Sequence, residues 1–158
     1  MNVRMACNEG TVRLYADNSL VGDHTGSGVG TYVIDDDTTV VGLECASTGD
    51  GAILAEVGDN YFTDSTWLCT NRFYQHWSSA GYLFGDDEWW SAKALGDNSG
   101  STFAQRSEIE SDVKWIWTEN SPADTRVYCR GYVTGERIFR IHNFKFTWIM
   151  DLPSTILM

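Results

Sequence analysis

Short runs in which apolar and polar residues alternate dominate the chain, and glycine, aspartate and asparagine separate one run from the next. Alternation with a period of two residues is the pattern of a β-strand that has one buried face. Leucine-rich helical periodicity is scarce, whereas β-branched and aromatic residues are frequent within the runs. The pattern predicts an all-β protein with about eight to ten short antiparallel strands, arranged as a sandwich.

A hairpin is expected near the start of the chain. Residues 11–15 and 20–21 flank a turn in which Asp17 and Asn18 tolerate the left-handed backbone conformation and bond the local backbone. The glycine-rich stretch 22–28 follows this hairpin. Because no helix is predicted after the stretch, we expect a flexible surface loop rather than a phosphate-binding loop.

Two further strands are expected before the middle of the chain. The β-branched run at residues 38–45 is the strongest strand prediction, and residues 52–57 are expected to form a second buried strand. Three consecutive acids at residues 35–37 precede the first of these strands. They predict a solvated hairpin turn, with a metal site as the alternative.

Two apolar runs late in the chain predict another hairpin, with a large aromatic face. Tryptophan and isoleucine alternate in residues 115–117, and residues 127–129 alternate in the same manner. Residues 120–124, which lie between the runs, supply the turn chemistry. Trp67, Trp115 and Trp117 are expected in the core because each lies within an apolar strand pattern.

The predicted late hairpin resembles the closing hairpin of galactose-binding-like β-sandwich domains, which occur in extracellular multidomain proteins and beside glycosidase catalytic domains. A Thr-Asp-x-x-Trp-x-Cys segment at residues 63–69 and an Asp-rich turn at residues 84–93 resemble the same domains. The adjacent Trp89 and Trp90 depart from the second motif, and one ring is expected to face inward and the other outward. The resemblance covers residues 7–133.

The resemblance implies a jelly-roll-like antiparallel β-sandwich that forms a single domain over residues 1–133. Residues 134–158 lie outside the resemblance and are expected to be a C-terminal extension that adds a strand. Self-association through this extension is the alternative, because exposed apolar surface favours association. Its large apolar residues are Ile138, Phe139, Ile141, Phe144, Phe146, Trp148 and Ile149.

Charge and hydropathy exclude two classes of partner. The formal net charge is −11 and is spread along the chain, so we expect no binding to the phosphate backbone of nucleic acids. No apolar stretch approaches the ~20 residues that a bilayer-spanning helix requires, so we expect no membrane span.

Cys7, Cys45, Cys69 and Cys129 are the cysteines of the chain, and they allow three complete pairings. No Cys-x-x-Cys spacing is present, which argues against structural zinc. Free buried thiols are the alternative to disulfides. The even number and the extracellular resemblance favour two disulfides. Pairing Cys7 with Cys45 and Cys69 with Cys129 is one of the three arrangements, and the choice stays open.

No arrangement in the sequence predicts catalysis. No Gly-x-Ser-x-Gly elbow accompanies the histidines. Those histidines are His24, His76 and His142. Acids that border turns in an acidic protein are typical of a solvated surface rather than of a glycosidase pair. These acids are Asp64, Asp86, Asp87 and Asp124. We therefore expect no enzymatic activity.

Aromatic residues in the irregular middle segment are the best candidates for a binding site. A sugar packs its C–H face on an exposed ring, and nearby polar groups bind its hydroxyls. Arg72 and His76 are expected to supply such polar contacts, and burial of the rings is the alternative. The candidate ligand-binding residues are Arg72, Tyr74, His76, Trp77, Tyr82, Trp89 and Trp90.

Calcium is the one cofactor that the sequence suggests. Loops of β-sandwich modules often supply the aspartate and carbonyl oxygens that calcium prefers. Asp17, Asn18 and Asp23 are the candidate ligands, with the acids at residues 35–37 as further contributors. No EF-hand spacing is present, and a plain acidic surface is the alternative.

The expected function is that of a non-catalytic, extracellular, lectin-like carbohydrate-binding module, whose partner is a glycan. A structural or adhesive matrix module that contacts extracellular proteins is the alternative. An accessory domain of a glycosidase is a third interpretation, which shares the fold with the first.

Overall fold

The computed structural model describes residues 1–100, 102–119 and 123–134 of the chain. Over these residues the chain consists of strands, turns and irregular segments, without a helix, so the all-β prediction is confirmed. The strands are β1 (Asn2–Cys7), β2 (Gly10–Ala16), β3 (Ser19–Thr25), β4 (Gly30–Val33), β5 (Val40–Ser47), β6 (Ile53–Val57), β7 (Tyr61–Phe62), β8 (Leu68–Thr70), β9 (Trp90–Ser91), β10 (Lys93–Asp97), β11 (Lys114–Trp117) and β12 (Arg126–Tyr132).

The strands form two antiparallel sheets that make a sandwich. The first sheet has the order β10-β11-β6-β1-β4, and β7 pairs with β6 beside this path. The second sheet has the order β3-β2-β5-β12-β8-β9. This two-sheet arrangement is compatible with the jelly-roll-like fold that the sequence predicts.

The main core lies between the sheets because each strand turns alternate apolar residues inward. Val3 and Met5 of β1 and Ile53 of β6 come from the first sheet. Val12 and Leu14 of β2 meet them from the second sheet. All of these side chains are fully buried. At about 25 cal/mol per Å² of apolar surface, their removal from water is the main force that holds the sheets together.

The strands predicted at residues 38–45 and 52–57 are confirmed as β5 and β6. Each lies inside its sheet, with β5 between β2 and β12 and β6 between β1 and β11. All five residues of β6 are buried, as are all residues of β5 except Ala46. Cover on both faces explains why these strands have nearly continuous apolar sequences.

The hairpin predicted near the start of the chain is confirmed. β2 and β3 are joined by a two-residue turn at Asp17 and Asn18, whose φ values are 44° and 73°. Positive φ at both positions suits the twist of a hairpin, and these residue types tolerate it. The Asp17 carboxylate also accepts hydrogen bonds from the backbone N–H groups of Thr39 and Val40, at 3.0 and 2.9 Å. These bonds fasten the turn to the start of β5.

Two of the loop predictions need correction. Residues 22–25 belong to β3, so only the end of the glycine-rich stretch 22–28 lies outside a strand. The acids at residues 35–37 follow β4 of the first sheet and precede β5 of the second. They therefore connect the two sheets and do not close a hairpin. Alternation identifies a strand without identifying its partner, so a connection between sheets looks like a hairpin turn in the sequence.

The predicted late aromatic hairpin is wrong for the same reason. β11 pairs with β10 and β6 in the first sheet, whereas β12 pairs with β5 and β8 in the second. The prediction that Trp67, Trp115 and Trp117 lie in the core is confirmed, with exposed fractions of 4% or less. Trp115 packs on the outer side of the first sheet against Ala6 and Leu54.

All four cysteines form disulfides, as predicted. Cys7–Cys45 joins β1 to β5 and therefore links the two sheets, with a sequence separation of 38 residues. Cys69–Cys129 joins register partners on the neighbouring strands β8 and β12, with a separation of 60 residues. This is one of the three pairings that the sequence left open. Two disulfides are typical of proteins that fold in an oxidising compartment.

The predicted C-terminal extension, residues 134–158, falls outside the described residues except for Thr134. Its docking as a strand and its self-association therefore stay predictions. The described residues that precede it belong to one sandwich.

Candidate functional site

Residues 71–89 form a long connection between β8 and β9 that covers part of the outer face of the second sheet. Tyr15, Gly42 and Arg130 are neighbours on that face, through the registers of β2, β5 and β12. Trp77 of the connection lies directly on Gly42, because a Cβ atom there would be 2.7 Å from the indole. Glycine at position 42 therefore leaves the space that the indole fills.

The rings of this connection pack with rings of the sheet in an aromatic cluster. The aromatic cluster consists of buried Trp77, Tyr82 and Tyr128 and half-buried Tyr15, Tyr74, Phe84 and Trp89. The centre of the Trp77 ring is 5.3 Å from that of Tyr15 and 5.4 Å from that of Tyr128, both edge-to-face. Trp77 also stacks on Trp89 at 6.2 Å. These are the geometries that ring quadrupoles favour, so the cluster is a second small core.

This burial corrects the expectation for two candidate ligand-binding residues. The side chains of Trp77 and Tyr82 are only 3% and 9% exposed. Their rings hold the connection against the sheet and are not free to stack on a sugar. Burial of the rings was the alternative that the sequence left open, and the surface that covers them comes from strands distant along the chain.

Arg130 lies at the base of the aromatic cluster and was not among the sequence candidates. Arg130 is only 1% exposed. Its guanidinium donates hydrogen bonds to the carbonyl oxygens of Trp77 at 2.6 Å and Ser79 at 3.0 Å. The guanidinium lies 5.1 Å from the ring centre of Phe84 and 5.4 Å from that of Tyr82. Burial lowers the pKa of Arg130, because desolvation disfavours the charged form. A charged residue within an apolar strand run was the signal that could have found it.

The Tyr82 hydroxyl is held among polar groups of the same connection. It donates to the Asp87 carboxylate and accepts a hydrogen bond from the indole N–H of Trp89 at 3.3 Å. The backbone N–H of Glu88 donates to the Tyr74 hydroxyl at 3.0 Å. Burial, followed by the hydrogen bond to Asp87, raises the pKa of Tyr82 to about 12.

We expect Tyr82 to make folding sensitive to alkaline pH. Its pKa in the folded chain lies above the ordinary value of 10.0, so its stabilising contribution is complete below pH 10 and is lost as pH rises toward 12. Tyr82→Phe should therefore reduce the loss of unfolding free energy between pH 9 and 11 by about 1 kcal/mol. Urea unfolding at both pH values measures this loss. Tyr61→Phe, on the first sheet, is the control, and equal losses in Tyr82→Phe and the wild type would contradict the prediction.

Arg72 and Tyr74 lie near the start of the connection, and Glu88 and Trp89 lie at its end. Trp90 follows them on β9 as the register partner of the core residue Cys69. We call these five residues, Arg72, Tyr74, Glu88, Trp89 and Trp90, the aromatic surface. The Arg72 guanidinium lies 2.6 Å from the Glu88 carboxylate, and both side chains are substantially exposed. Trp89 packs inward on the cluster while Trp90, on the edge strand β9, is 41% exposed. The predicted division of these two rings between inside and outside is confirmed.

Two exposed apolar residues of the same connection were not among the sequence candidates. Phe73 is 67% exposed and Leu83 is 72% exposed. Phe73 also contacts Tyr128 of the sheet edge-to-face, with ring centres 5.7 Å apart. Nothing in their sequence pattern separates them from buried neighbours such as Tyr82.

The candidate residues at the β2–β3 turn do not converge on a metal site. Asp17 is engaged with the backbone of β5, and the Asn18 amide lies 3.0 Å from Nδ1 of His76. His76 is thereby directed to this turn. Asp23 lies further along β3, opposite Arg13. Over the described ranges no group of three histidine, cysteine or acidic side chains is arranged to hold a metal ion, so calcium stays a prediction without a geometric site.

A buried acid on the outer face of the second sheet is fully engaged. Glu44 accepts hydrogen bonds from Arg126 at 2.7 Å and from the Tyr15 hydroxyl at 3.0 Å, and Arg13 lies 3.6 Å away. Burial, followed by the charge of Glu44, raises the pKa values of Tyr15 and Tyr128. The group is a structural ion network on the sheet beside the aromatic cluster.

No protein-family model, curated protein or solved structure matches the chain. Among the residues that the structure describes, none belongs to a helix of the length and apolarity needed to cross a membrane.

Proposed function

We propose that this chain is a non-catalytic, extracellular carbohydrate-binding module that binds a glycan on the aromatic surface. The observation that carries the proposal is the exposed Trp90 ring on the edge strand β9. It directly follows the half-buried Trp89 and Glu88 in the chain, and Glu88 forms an exposed ion pair with Arg72. An accessible indole offers an apolar face to the C–H groups of a pyranose, and the ion pair offers donors and acceptors to its hydroxyls.

The packing beneath the aromatic surface supports this proposal. Tyr74 lies 6.2 Å from Trp89, ring centre to ring centre, and the Tyr74 hydroxyl accepts from the backbone of Glu88. The indole of Trp89 stacks in turn on Trp77. A surface that is fixed before the ligand arrives loses little conformational entropy on binding, which favours affinity.

Three further properties agree with an extracellular glycan-binding role. The two disulfides suit an oxidising compartment. The two-sheet sandwich is compatible with the galactose-binding-like resemblance, which is an argument by analogy. The net charge of −11 favours neutral glycans over polyanionic ones.

Substitution of Trp90 tests the proposal. The wild-type chain is first screened on a glycan array, and the affinity for the best glycan is measured by calorimetry. Trp90→Ala should weaken that affinity by about tenfold or more, which corresponds to loss of about 1.4 kcal/mol of contact. Val33→Ala is the matched control, because Val33 is an exposed apolar residue on the first sheet.

Two results would count against the proposal. An array without any bound glycan, together with concentration-dependent assembly in sedimentation, would favour an adhesive or structural module. Glycan binding that Trp90→Ala leaves unchanged would show that the ligand binds elsewhere on the sandwich.

A further inference from the structure

A cavity of about 370 Å³ opens on the first sheet, between the start of β1 and the β6–β7 hairpin. Its volume falls within the range of small-molecule sites, at the small end. The aromatic surface belongs to the other sheet, so the two sites do not share residues. The cavity residues that matter for binding are Asn2, Arg4, Glu56, Asp59, Asn60 and Tyr61.

The wall of the cavity is built around a fixed arginine. Arg4 and Glu56 are register partners on β1 and β6, and the guanidinium donates to one carboxylate oxygen at 2.8 Å. The other oxygen accepts from the backbone N–H of Glu110 at 3.1 Å. Glu56, whose side chain is only 7% exposed, is therefore occupied in holding Arg4. Arg4 is 41% exposed and makes no other hydrogen bond within the described residues, so its remaining N–H groups are available to a ligand.

The β6–β7 turn supplies the rim of the cavity. Gly58 adopts a φ of 58°, which begins the turn, and its N–H donates to the carbonyl oxygen of Asn2 at 2.7 Å. This bond ties the turn to β1. The exposed Asp59 and Asn60 follow at the rim, and the half-buried Tyr61 continues into β7.

The charged groups of the cavity are of both signs. Arg4 attracts an anion and repels a cation, and the carboxylates of Glu56 and Asp59 do the reverse, so no ion is attracted by all three groups. A neutral ligand with hydroxyl groups matches the available chemistry, because each hydroxyl both donates and accepts. Arg4 donates, Asp59 accepts, and amide side chains do both.

We propose that this cavity binds a small neutral polyhydroxylated molecule, of the size of a single sugar ring. Arg4 and Asp59 bind hydroxyls of the ligand, and the side chain of Tyr61 packs on its C–H face. This second site goes beyond the glycan site on the aromatic surface. It stands even if the aromatic surface binds nothing.

Titration of the full chain with defined small molecules tests this second site. The probes are the methyl glycosides of glucose, galactose, mannose, fucose and N-acetylglucosamine, together with myo-inositol; acetate and methylammonium are the charged controls. Amide NMR shifts on ¹⁵N-labelled protein report where each probe binds. We expect a neutral probe to shift the amides of Asn60 and Tyr61 and the charged controls to leave them unmoved.

Variants of exposed cavity residues identify the contacts. Asp59→Asn and Asn60→Ala should each weaken binding by about tenfold, without the folding risk of removing the partner of the buried Glu56. Arg13→Lys is the matched control for Arg4→Lys, because Arg13 also contacts a buried glutamate, on the other sheet. Of these two arginine variants, only Arg4→Lys should weaken binding.

Several outcomes would overturn the proposal. One is that no neutral probe binds even well above millimolar concentration. Another is that acetate or methylammonium binds more strongly than the neutral probes. A third is that Asp59→Asn and Asn60→Ala leave the affinity unchanged. Trp90→Ala separates the two sites. A sugar that is lost in Trp90→Ala and retained in Asp59→Asn binds only to the aromatic surface, which would support the proposed function and refute the cavity site.

Discussion

Replacement of all four cysteines by alanine is expected to leave the chain unfolded at physiological temperature. The disulfides close loops of 38 and 60 residues, and the loop-closure entropy that each removes from the unfolded chain is worth about 4 kcal/mol. Domains of this size are stable by only about 5–15 kcal/mol in total. Loss of both disulfides therefore removes about 8 kcal/mol, which is half or more of the free energy of unfolding. Circular dichroism of the purified variant checks the result.

The two disulfides can be separated by removing one pair at a time. Because loop length enters only as a logarithm, Cys7→Ala with Cys45→Ala and Cys69→Ala with Cys129→Ala should cost nearly the same free energy of unfolding. Each pair should lower it by about 3–4 kcal/mol in urea titrations. A four-alanine variant with the wild-type urea midpoint would contradict the prediction and would show that packing alone holds the two sheets together.

Arg130→Ala is expected to lower the free energy of unfolding by about 3 kcal/mol and to release the connection that carries the aromatic surface. The change leaves the carbonyl oxygens of Trp77 and Ser79 without their donor. It also removes a cation from the faces of Tyr82 and Phe84 and opens a space beneath them. Arg130→Met keeps most of the volume and removes the desolvation cost of the charge, so it should be less damaging than alanine.

Urea unfolding and tryptophan fluorescence measure both consequences of the Arg130 change. The emission of Trp77 and Trp89 should shift to longer wavelength at urea concentrations at which the rest of the sandwich is folded. Arg72→Ala is the control, because its ion pair with Glu88 is exposed and contributes about 0–1 kcal/mol. If the Arg130→Ala variant is as stable as the Arg72→Ala variant, the prediction that Arg130 holds the connection on the sheet is wrong.

The strands could be predicted from the sequence wherever local pattern decides the structure. The turn at Asp17 and Asn18 and the buried β5 and β6 depend on side-chain type and short-range spacing, and both predictions are confirmed. Pairing depends on which distant strand covers which face. The run at residues 115–117 was therefore identified as a strand but assigned the wrong partner, since β11 and β12 lie in different sheets.

The candidate site was less predictable than the fold because some of its rings are buried and others are exposed. In the sequence, Trp77 and Trp90 are both tryptophans in an irregular segment, and no local pattern shows which of them is buried. Only the structure shows that Gly42 leaves room for one indole on the outer face of the sheet, while the other stays at an edge. The ion pair of Arg4 and Glu56 could not be predicted from the sequence either, because the two residues are far apart in the chain and become neighbours only through strand register.

The connection at residues 71–89 is held on the sheet by one set of residues and exposes another set to solvent. Trp77 and Tyr82 anchor it to the sheet together with Arg130 of β12, whereas Arg72 reaches solvent, as does Trp90 at the start of the adjoining β9. Substitutions at the displayed positions therefore carry little folding cost. The exposed positions can therefore change in shape and charge while the buried anchor keeps the connection in place on the sandwich.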